Sequence, residues 1–267
     1  MKAEEAKRLN DEGRERWDQK AEFWDELHGE EGNRYHRELI APAVKSLLDL
    51  KPGEQVLDIA CGSGVLARQL AALGGVVTAV DFSEALLARA KARKQSSGEL
   101  VRYQVVDATD EEALADLGEG VFDAVTCTMA LMDMPVIAPL YRAVRRLLAP
   151  GGRFVFATSH PAFSSNNPVF AADLADVEGE EVLVSYLKIR DYLAVPPVLA
   201  VGASDEPTPH YYYHRPLQEL LGTAFEAGLV LDGLLEPGFD PPEDPSARPL
   251  SWYAHPQIPP VLAGRMM

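Results

Sequence analysis

The chain has 267 residues, 47% hydrophobic and 25% charged, with a formal net charge of -16 at pH 7; this fits a folded protein with a full core, and no apolar run reaches the roughly 20 residues of a membrane-crossing helix. The acidity disfavours nucleic acid and anionic membranes, which select a basic face, and leaves small molecules as the expected partners. The charged N-terminus MKAEEAKRLNDEGRERW has no apolar signal core, and Cys61 and Cys127 form neither a disulfide framework nor a metal pattern, so a reduced, cytoplasmic setting without a metal is expected.

Residues up to about Gly32 read as one polar amphipathic helix, with Trp17, Phe23, Trp24 and Leu27 on an aromatic side. A second helix, about Asn33 to Leu50, carries Ile40, Val44, Leu47 and Leu48 on one face and stops at Lys51-Pro52-Gly53. Strands and helices then alternate. Strands are predicted at Gln55 to Ala60, Val76 to Val80, Leu100 to Val106, Phe122 to Cys127 and Arg153 to Thr158. Helices are predicted at Val65 to Leu73, Ser83 to Arg93, Glu111 to Leu117 and about Val136 to Leu148. The alternation implies a mostly parallel sheet with helices on both faces, and the near-continuous apolar strands fit burial on both sides.

From His160 to Tyr213 the alternation breaks into a stretch rich in Pro, Ser, Asn and aromatics, read as an ordered insertion or lid. Within it, Glu181 to Leu193 partly alternates, as a hairpin strand would. A helix at Pro216 to Ala227, a strand at Leu229 to Leu235, a Pro-rich loop from Glu236 to Pro260 and an apolar stretch from Val261 to Met267 complete the chain.

Three features carry chemistry. The turn Cys61-Gly62-Ser63-Gly64 joins a strand to a helix, so backbone N–H groups point at a ligand and glycines admit its close approach; the spacing Gly62-x-Gly64-x-x-Ala67 equally matches a dinucleotide fingerprint. Asp81 ends the second strand, where a carboxylate can take both hydroxyls of a ribose, or sit ahead of a helix cap. Asp107-Ala108-Thr109 follows the third strand, where an acid can accept from the amine of adenine, or cap the next short helix.

Taken in order, VLDIACGSG, VTAVDFS, VVDATD, FDAVTCTMALMDM and LLAPGGRFVFATSHP resemble the class I S-adenosylmethionine-dependent methyltransferase family, in its small-molecule branch. The resemblance covers about Asn33 to Pro161. It implies an α/β, doubly wound, Rossmann-like seven-stranded sheet of order 3-2-1-4-5-7-6 with strand 7 antiparallel, preceded by N-terminal helices and interrupted after strand 5. The whole of 1–267 is then one methyltransferase domain, with a helical cap at 1–50 and a substrate-side insertion at 160–213. It implies S-adenosylmethionine as cofactor and S-adenosylhomocysteine as product. Carried over, Asp58, Ala60, Cys61, Gly62 and Gly64 lie along the methionine part of the cofactor. Asp81 binds the ribose, Phe82 packs on the adenine, Asp107 and Ala108 meet the adenine edge, and Thr128 and Met129 line the sulfonium region. Tyr35 and Trp24 close over the cofactor. The family often has glycine where this chain has Ala60.

On the acceptor side the candidate catalytic residues are His160, His214 and Tyr213. His160 is a base or substrate anchor, or a loop histidine before a proline; Tyr211, Tyr212, Tyr213 and His214 form an aromatic pocket able to hold a sulfonium by cation–π contact, or a packed strand end. Asp133, His36 and His210 rank below them. The reaction is methyl transfer to O, N or C of a small molecule. An NAD-dependent oxidoreductase would share the glycine turn and Asp81 but leaves Asp107 and the run after the fourth strand without a role. A non-catalytic cofactor-binding scaffold is the third reading.

Overall fold

The structure is a computed structural model and describes residues 2–93, 101–241 and 248–267. Its centre is a seven-stranded sheet. In chain order the strands are β1 (Gln55–Ile59), β2 (Val76–Asp81), β3 (Arg102–Val105), β4 (Phe122–Thr128), β5 (Leu148–Ser159), then, after two strand pairs outside the sheet, β10 (Leu231–Leu235) and β11 (Val261–Met266). They lie side by side as β3-β2-β1-β4-β5-β11-β10, and β11 is antiparallel to both neighbours. This is the order expected, with β10 and β11 as the sixth and seventh strands of the sheet.

Every strand at the sheet centre is buried on both faces, and alternate residues serve opposite layers. Leu57, Ile59, Val125, Cys127, Phe154 and Phe156 pack with α6 (Glu111–Ala115), α7 (Ala138–Leu147) and α8 (Leu217–Glu226). Val56, Val77, Ala79, Ala124, Val155 and Ala157 pack with α3 (Ala41–Leu48) and α4 (Val65–Ala72). The helix after β2, α5 (Glu84–Ala92), is started by Ser83, whose hydroxyl accepts from the Leu86 N–H.

Four boundaries differ from expectation. The first helix is two, α1 (Ala3–Gln19) and α2 (Ala21–His28), because Lys20 leaves helical geometry at φ -113, ψ 11. The next begins as a π-helical turn, His36–Ile40, before α3; such turns gather at functional sites. The fifth strand starts at Leu148, pairing with Phe122 ahead of the Pro150-Gly151 bend. The third is shorter than expected, and Leu100 lies outside the described residues, as do 242–247 of the Pro-rich loop.

The insertion is ordered. It forms two hairpin-like pairs, β6 (Val169–Val177) with β7 (Glu180–Lys188), and β8 (Val198–Ala200) with β9 (His210–Tyr212). The expected strand from Glu181 stops at Lys188, short of Leu193. Helix α1 packs on α5 and on β9, which brings the start of the chain together with the segment that follows β5. Among the described residues no helix is long and apolar enough to cross a membrane.

Candidate active site

A cavity of about 610 Å³ opens over the carboxyl ends of β1 to β4. Strand order reverses between β1 and β4, and open α/β sheets bind ligands at such a point. The cavity floor is the turn that follows β1. Gly62 and Gly64 take the left-handed conformation at φ 55 and φ 75. A Cβ on Gly64 would stand 2.5 Å from the Tyr103 hydroxyl, whereas one on Gly62 would meet nothing within 4 Å. The first glycine thus keeps the floor open and the second lets it pack. Two non-glycine residues of the wall, Ala60 at φ 56 and Met129 at φ 52, share the left-handed conformation, which costs an L-residue about 1–2 kcal/mol. Stored strain of this kind concentrates at functional sites.

Three carboxylates belong to this half. Asp81 ends β2, and its two oxygens accept from the N–H groups of Gly62 (2.8 Å) and Ser83 (2.9 Å). Burial pushes it up to about 6 against those two hydrogen bonds, with Asp18 and Asp107 adding repulsion. Asp107 accepts from the Thr109 N–H and hydroxyl on one oxygen and from Asn10, 2.5 Å away, on the other. Asp58 lies beneath the turn and outside the cavity wall. One of its oxygens accepts from the Thr126 hydroxyl at 2.7 Å; the other is buried without a partner. Burial, opposed by Thr126 and assisted by Asp81, pushes Asp58 up to about 7.

Helices α1 and α2 roof the cavity with Asn10, Trp17 and Trp24. They are tied to α5 by a polar seam: Asp18 accepts from the Ser83 hydroxyl (2.6 Å) and the Ala85 N–H (3.3 Å), Glu22 pairs with Arg89 (2.7 Å), and Asp25 with Arg93 (2.7 Å).

The opposite wall is built from Asp133, His210, Tyr212 and His214. Segment 131–134 is held in place by the buried Arg215, which donates to the carbonyls of Leu131 (2.9 Å) and Met134 (2.6 Å), and by the Tyr213 N–H, which donates to Met132 (2.7 Å). Behind this wall, Lys20 is fully buried. Its ammonium lies 2.6 Å from Glu206, 2.5 Å from His210 Nδ1 and 3.8 Å from the centre of the Trp17 ring. Glu206 also accepts from Trp24 Nε1 (3.0 Å) and the Gly202 N–H (2.5 Å). Burial opposes the charge of Glu206, but His210, Lys20, Trp24 and Gly202 outweigh it and hold the carboxylate at about 2.

Several polar atoms on cavity residues are buried and unpartnered: Ser63 Oγ, both ring nitrogens of His36, and Asp133 Oδ1. Buried polar groups are ordinarily satisfied, so a cavity with these orphans, two carboxylates and aromatic walls fits a polar ligand with flat parts, as a nucleoside has.

A methyltransferase domain model matches residues 57–156. A solved S-adenosylmethionine-dependent methyltransferase from Mesorhizobium loti is 25% identical and superposes with a TM-score of 0.63 over 84% of this chain and 95% of that one. Residues 57–156 thus match a methyltransferase domain, and the fold is that of the S-adenosylmethionine-dependent methyltransferases. A second solved structure, phosphoethanolamine N-methyltransferase 2 from Haemonchus contortus in complex with S-adenosyl-L-methionine, shares the fold at 21% identity and TM-score 0.53, over 82% of this chain and 43% of that one. Among curated relatives, the ubiquinone biosynthesis O-methyltransferase of Pseudomonas aeruginosa is 41% identical over 106 residues, 40% of this chain and 44% of the relative. The chain thus spans about half the length of the curated relatives it matches.

Of the expected cofactor residues, the cavity wall contains Ala60, Cys61, Gly62, Asp81, Phe82, Asp107, Ala108, Thr128, Met129, Tyr35 and Trp24, while Asp58 and Gly64 sit behind it. The three expected catalytic residues are not brought together there. His160 is outside the wall, with Nε2 bonded to Glu236 (2.8 Å) and Nδ1 accepting from the Ala162 N–H (3.1 Å). Tyr213 is also outside it, buried, with its hydroxyl unpartnered. His214 lines the wall, but Ser165 (2.8 Å) and the Tyr192 carbonyl (2.6 Å) occupy both its nitrogens. The residues that sequence reasoning passed over are Asn10, Trp17, Lys20 and Glu206. The seven-residue spacing of Trp17 and Trp24, which stacks them two turns apart, and the four-residue spacing of Glu206 and His210 are the only local signals for them. Burial pushes the thiols of Cys61 and Cys127 up, so both stay protonated.

Proposed function

We propose that this protein transfers a methyl group from S-adenosylmethionine to a small-molecule acceptor. One observation carries the reading: Asp81 and Asp107, from the ends of adjacent strands, share a wall with the glycine turn, and a second wall with its own unpartnered carboxylate faces the same space. Asp81 takes the ribose hydroxyls, Phe82 covers the adenine, and Asp107 with Ala108 meets the adenine edge. Asp58 and the turn from Ala60 to Gly64 support the methionine part, Asp58 from beneath. Thr128 and Met129 flank the sulfonium, while Tyr35 and Trp24 close the roof. When bound, the cofactor supplies a methyl group already activated by a sulfonium. The chain's own task is then to align the acceptor and exclude water. The roof at 1–50 and the insertion at 160–213 enclose a modest volume, and the net charge of -16 further supports a small molecule over nucleic acid. The name of the Pseudomonas aeruginosa relative points the same way.

Titration calorimetry tests this. S-adenosylhomocysteine binds in the micromolar range, NADH does not, and Asp81→Ala weakens binding at least tenfold. Preference for NADH sinks the reading in favour of an oxidoreductase; tight S-adenosylhomocysteine binding without methylation of any acceptor leaves a scaffold.

A further inference from the structure

We infer that Asp133 and His210 form a pair that reads a hydroxyl group, so that the acceptor is a phenol methylated on oxygen, with Asp133 receiving its proton. The inference rests on the methyl-transfer reading above.

The first step is the tautomer of His210. An ammonium group only donates, and that of Lys20 stands 2.5 Å from His210 Nδ1. The acceptor oxygen Oε1 of Glu206 lies farther from the same nitrogen, at 3.2 Å, so the shorter Lys20 contact decides: Nδ1 accepts, and the ring hydrogen is on Nε2. Glu206 anchors the arrangement, because it is saturated with donors from Lys20, Trp24 and the Gly202 and Ala203 N–H groups.

The second step is the space in front of Nε2. Asp133 Oδ1 lies 3.7 Å from it, and that oxygen has no hydrogen-bond partner. The separation is too long for a direct hydrogen bond but admits one oxygen atom about 2.8 Å from each. Both residues line the cavity, whose wall also includes Thr128 and Met129. A donor and an acceptor facing one point match a hydroxyl. Its hydrogen goes to Asp133, one lone pair accepts from His210, and the second stays free to attack. A neutral amine has one lone pair and cannot both accept from His210 and attack; an ammonium has none.

The third step is charge. Lys20 and Glu206 cancel, and an ionised Asp133 gives the cluster a negative charge that can take up a proton. Burial raises Asp133 to about 6 against the pull of His210 and Lys20, with Glu206 adding repulsion; Tyr212 and Cys127, which also face it, keep their protons because burial raises both. A phenol, at about 10, is within reach of such a base in a way an alkyl alcohol is not. Trp17, Trp24 and Tyr212 supply flat walls for an aromatic body. In the transfer the O–H bond breaks toward Asp133, the oxygen forms the bond to the methyl carbon, and the pair that held the methyl group leaves with the donor. Lys20 acts through His210 and is a positioning residue.

Two measurements decide it. Nitrogen-15 NMR of His210 in the whole protein shows the Nε2–H tautomer; Lys20→Met loses that preference and Lys20→Arg restores it. An Nδ1–H tautomer in the native protein overturns the inference even if the variants fail to fold. In parallel, a panel of phenols and shape-matched anilines is offered with S-adenosylmethionine. Turnover confined to phenols, reduced at least 100-fold in Asp133→Asn with S-adenosylhomocysteine affinity within twofold of native, supports it. Equal or preferred turnover of anilines, an active Asp133→Asn, or no turnover of any phenol by protein that binds the cofactor, overturns it. Failure to bind the cofactor at all strikes instead at the methyl-transfer reading.

Discussion

Asp58 and Asp81, from adjacent strands, lie in one buried corner beneath and beside the glycine turn, and each raises the other's cost of ionisation or that of a neighbour. Asp58 is the more confined, with one oxygen unpartnered. Its folded carboxyl sits at about 7, above the ordinary 3.8. The folded state therefore holds a proton that the unfolded chain releases across that window, so this group's effect lowers stability as pH rises from about 4 to 7. Asp58→Asn removes the charge while leaving an acceptor for Thr126. We expect it to stabilise the ligand-free protein at pH 8 by up to about 4 kcal/mol, the linkage limit for such a shift, with the gain fading by pH 4. Thermal melts of both proteins across that range check it, and a gain that grows on acidification would contradict the assignment.

At the scale of elements, the roof depends on its seam with α5. Asp18 caps nothing of its own helix; both its hydrogen bonds go to the start of α5. Asp18→Ala should cost about 1–2 kcal/mol, typical of hydrogen bonds to a charged group. It should speed hydrogen exchange in residues 3–28 while leaving β1 and β2 protected. Uniform acceleration instead would mean that α1 and α2 are part of the sheet's cooperative unit. The sheet and its loops are legible in the sequence because strands buried on both faces appear as continuous apolar runs and turns as glycine pairs. Gln55 to Ala60 and the run into Gly64 carry both signals. The break at Lys20 is not legible, since no glycine or proline interrupts the helical pattern there. The acceptor wall is still less so. Asp133, Lys20 and the Glu206–His210 stretch come from three separate segments, and Lys20 lies 190 positions from His210; beyond the four-residue spacing of Glu206 and His210, no local period records such a meeting. His160 and His214 attract notice as histidines near the expected pocket, yet each spends its ring on neighbouring loops.

For the whole molecule, the pair β6–β7 stands apart from the main sheet. Leu174 and Leu183, opposite each other in the register, are 72% and 49% exposed, so the outer part of the hairpin contributes little burial. Replacing residues 173–184 with Asn-Gly leaves Ala172 and Ser185 facing across a two-residue turn. It also keeps Phe170 against Trp252 and His255. The melting temperature should stay within about 2 °C and S-adenosylhomocysteine affinity should be unchanged; a marked loss of affinity would show that the arm reaches into the cavity's function.

The Lys20–Glu206 pair has a kinetic consequence. It fastens the start of the chain to the insertion across the top of the cavity, and lifting the roof strands two unlike charges that the closed form buries together. Full opening rehydrates both charges, whereas half-open positions leave them apart and still dry, at a cost of several kcal/mol per ion. We therefore expect the roof to have two positions, closed and fully open, and to work as a door. Whatever enters and leaves does so during brief full openings, and the steep temperature dependence of that opening will set the pace of ligand exchange.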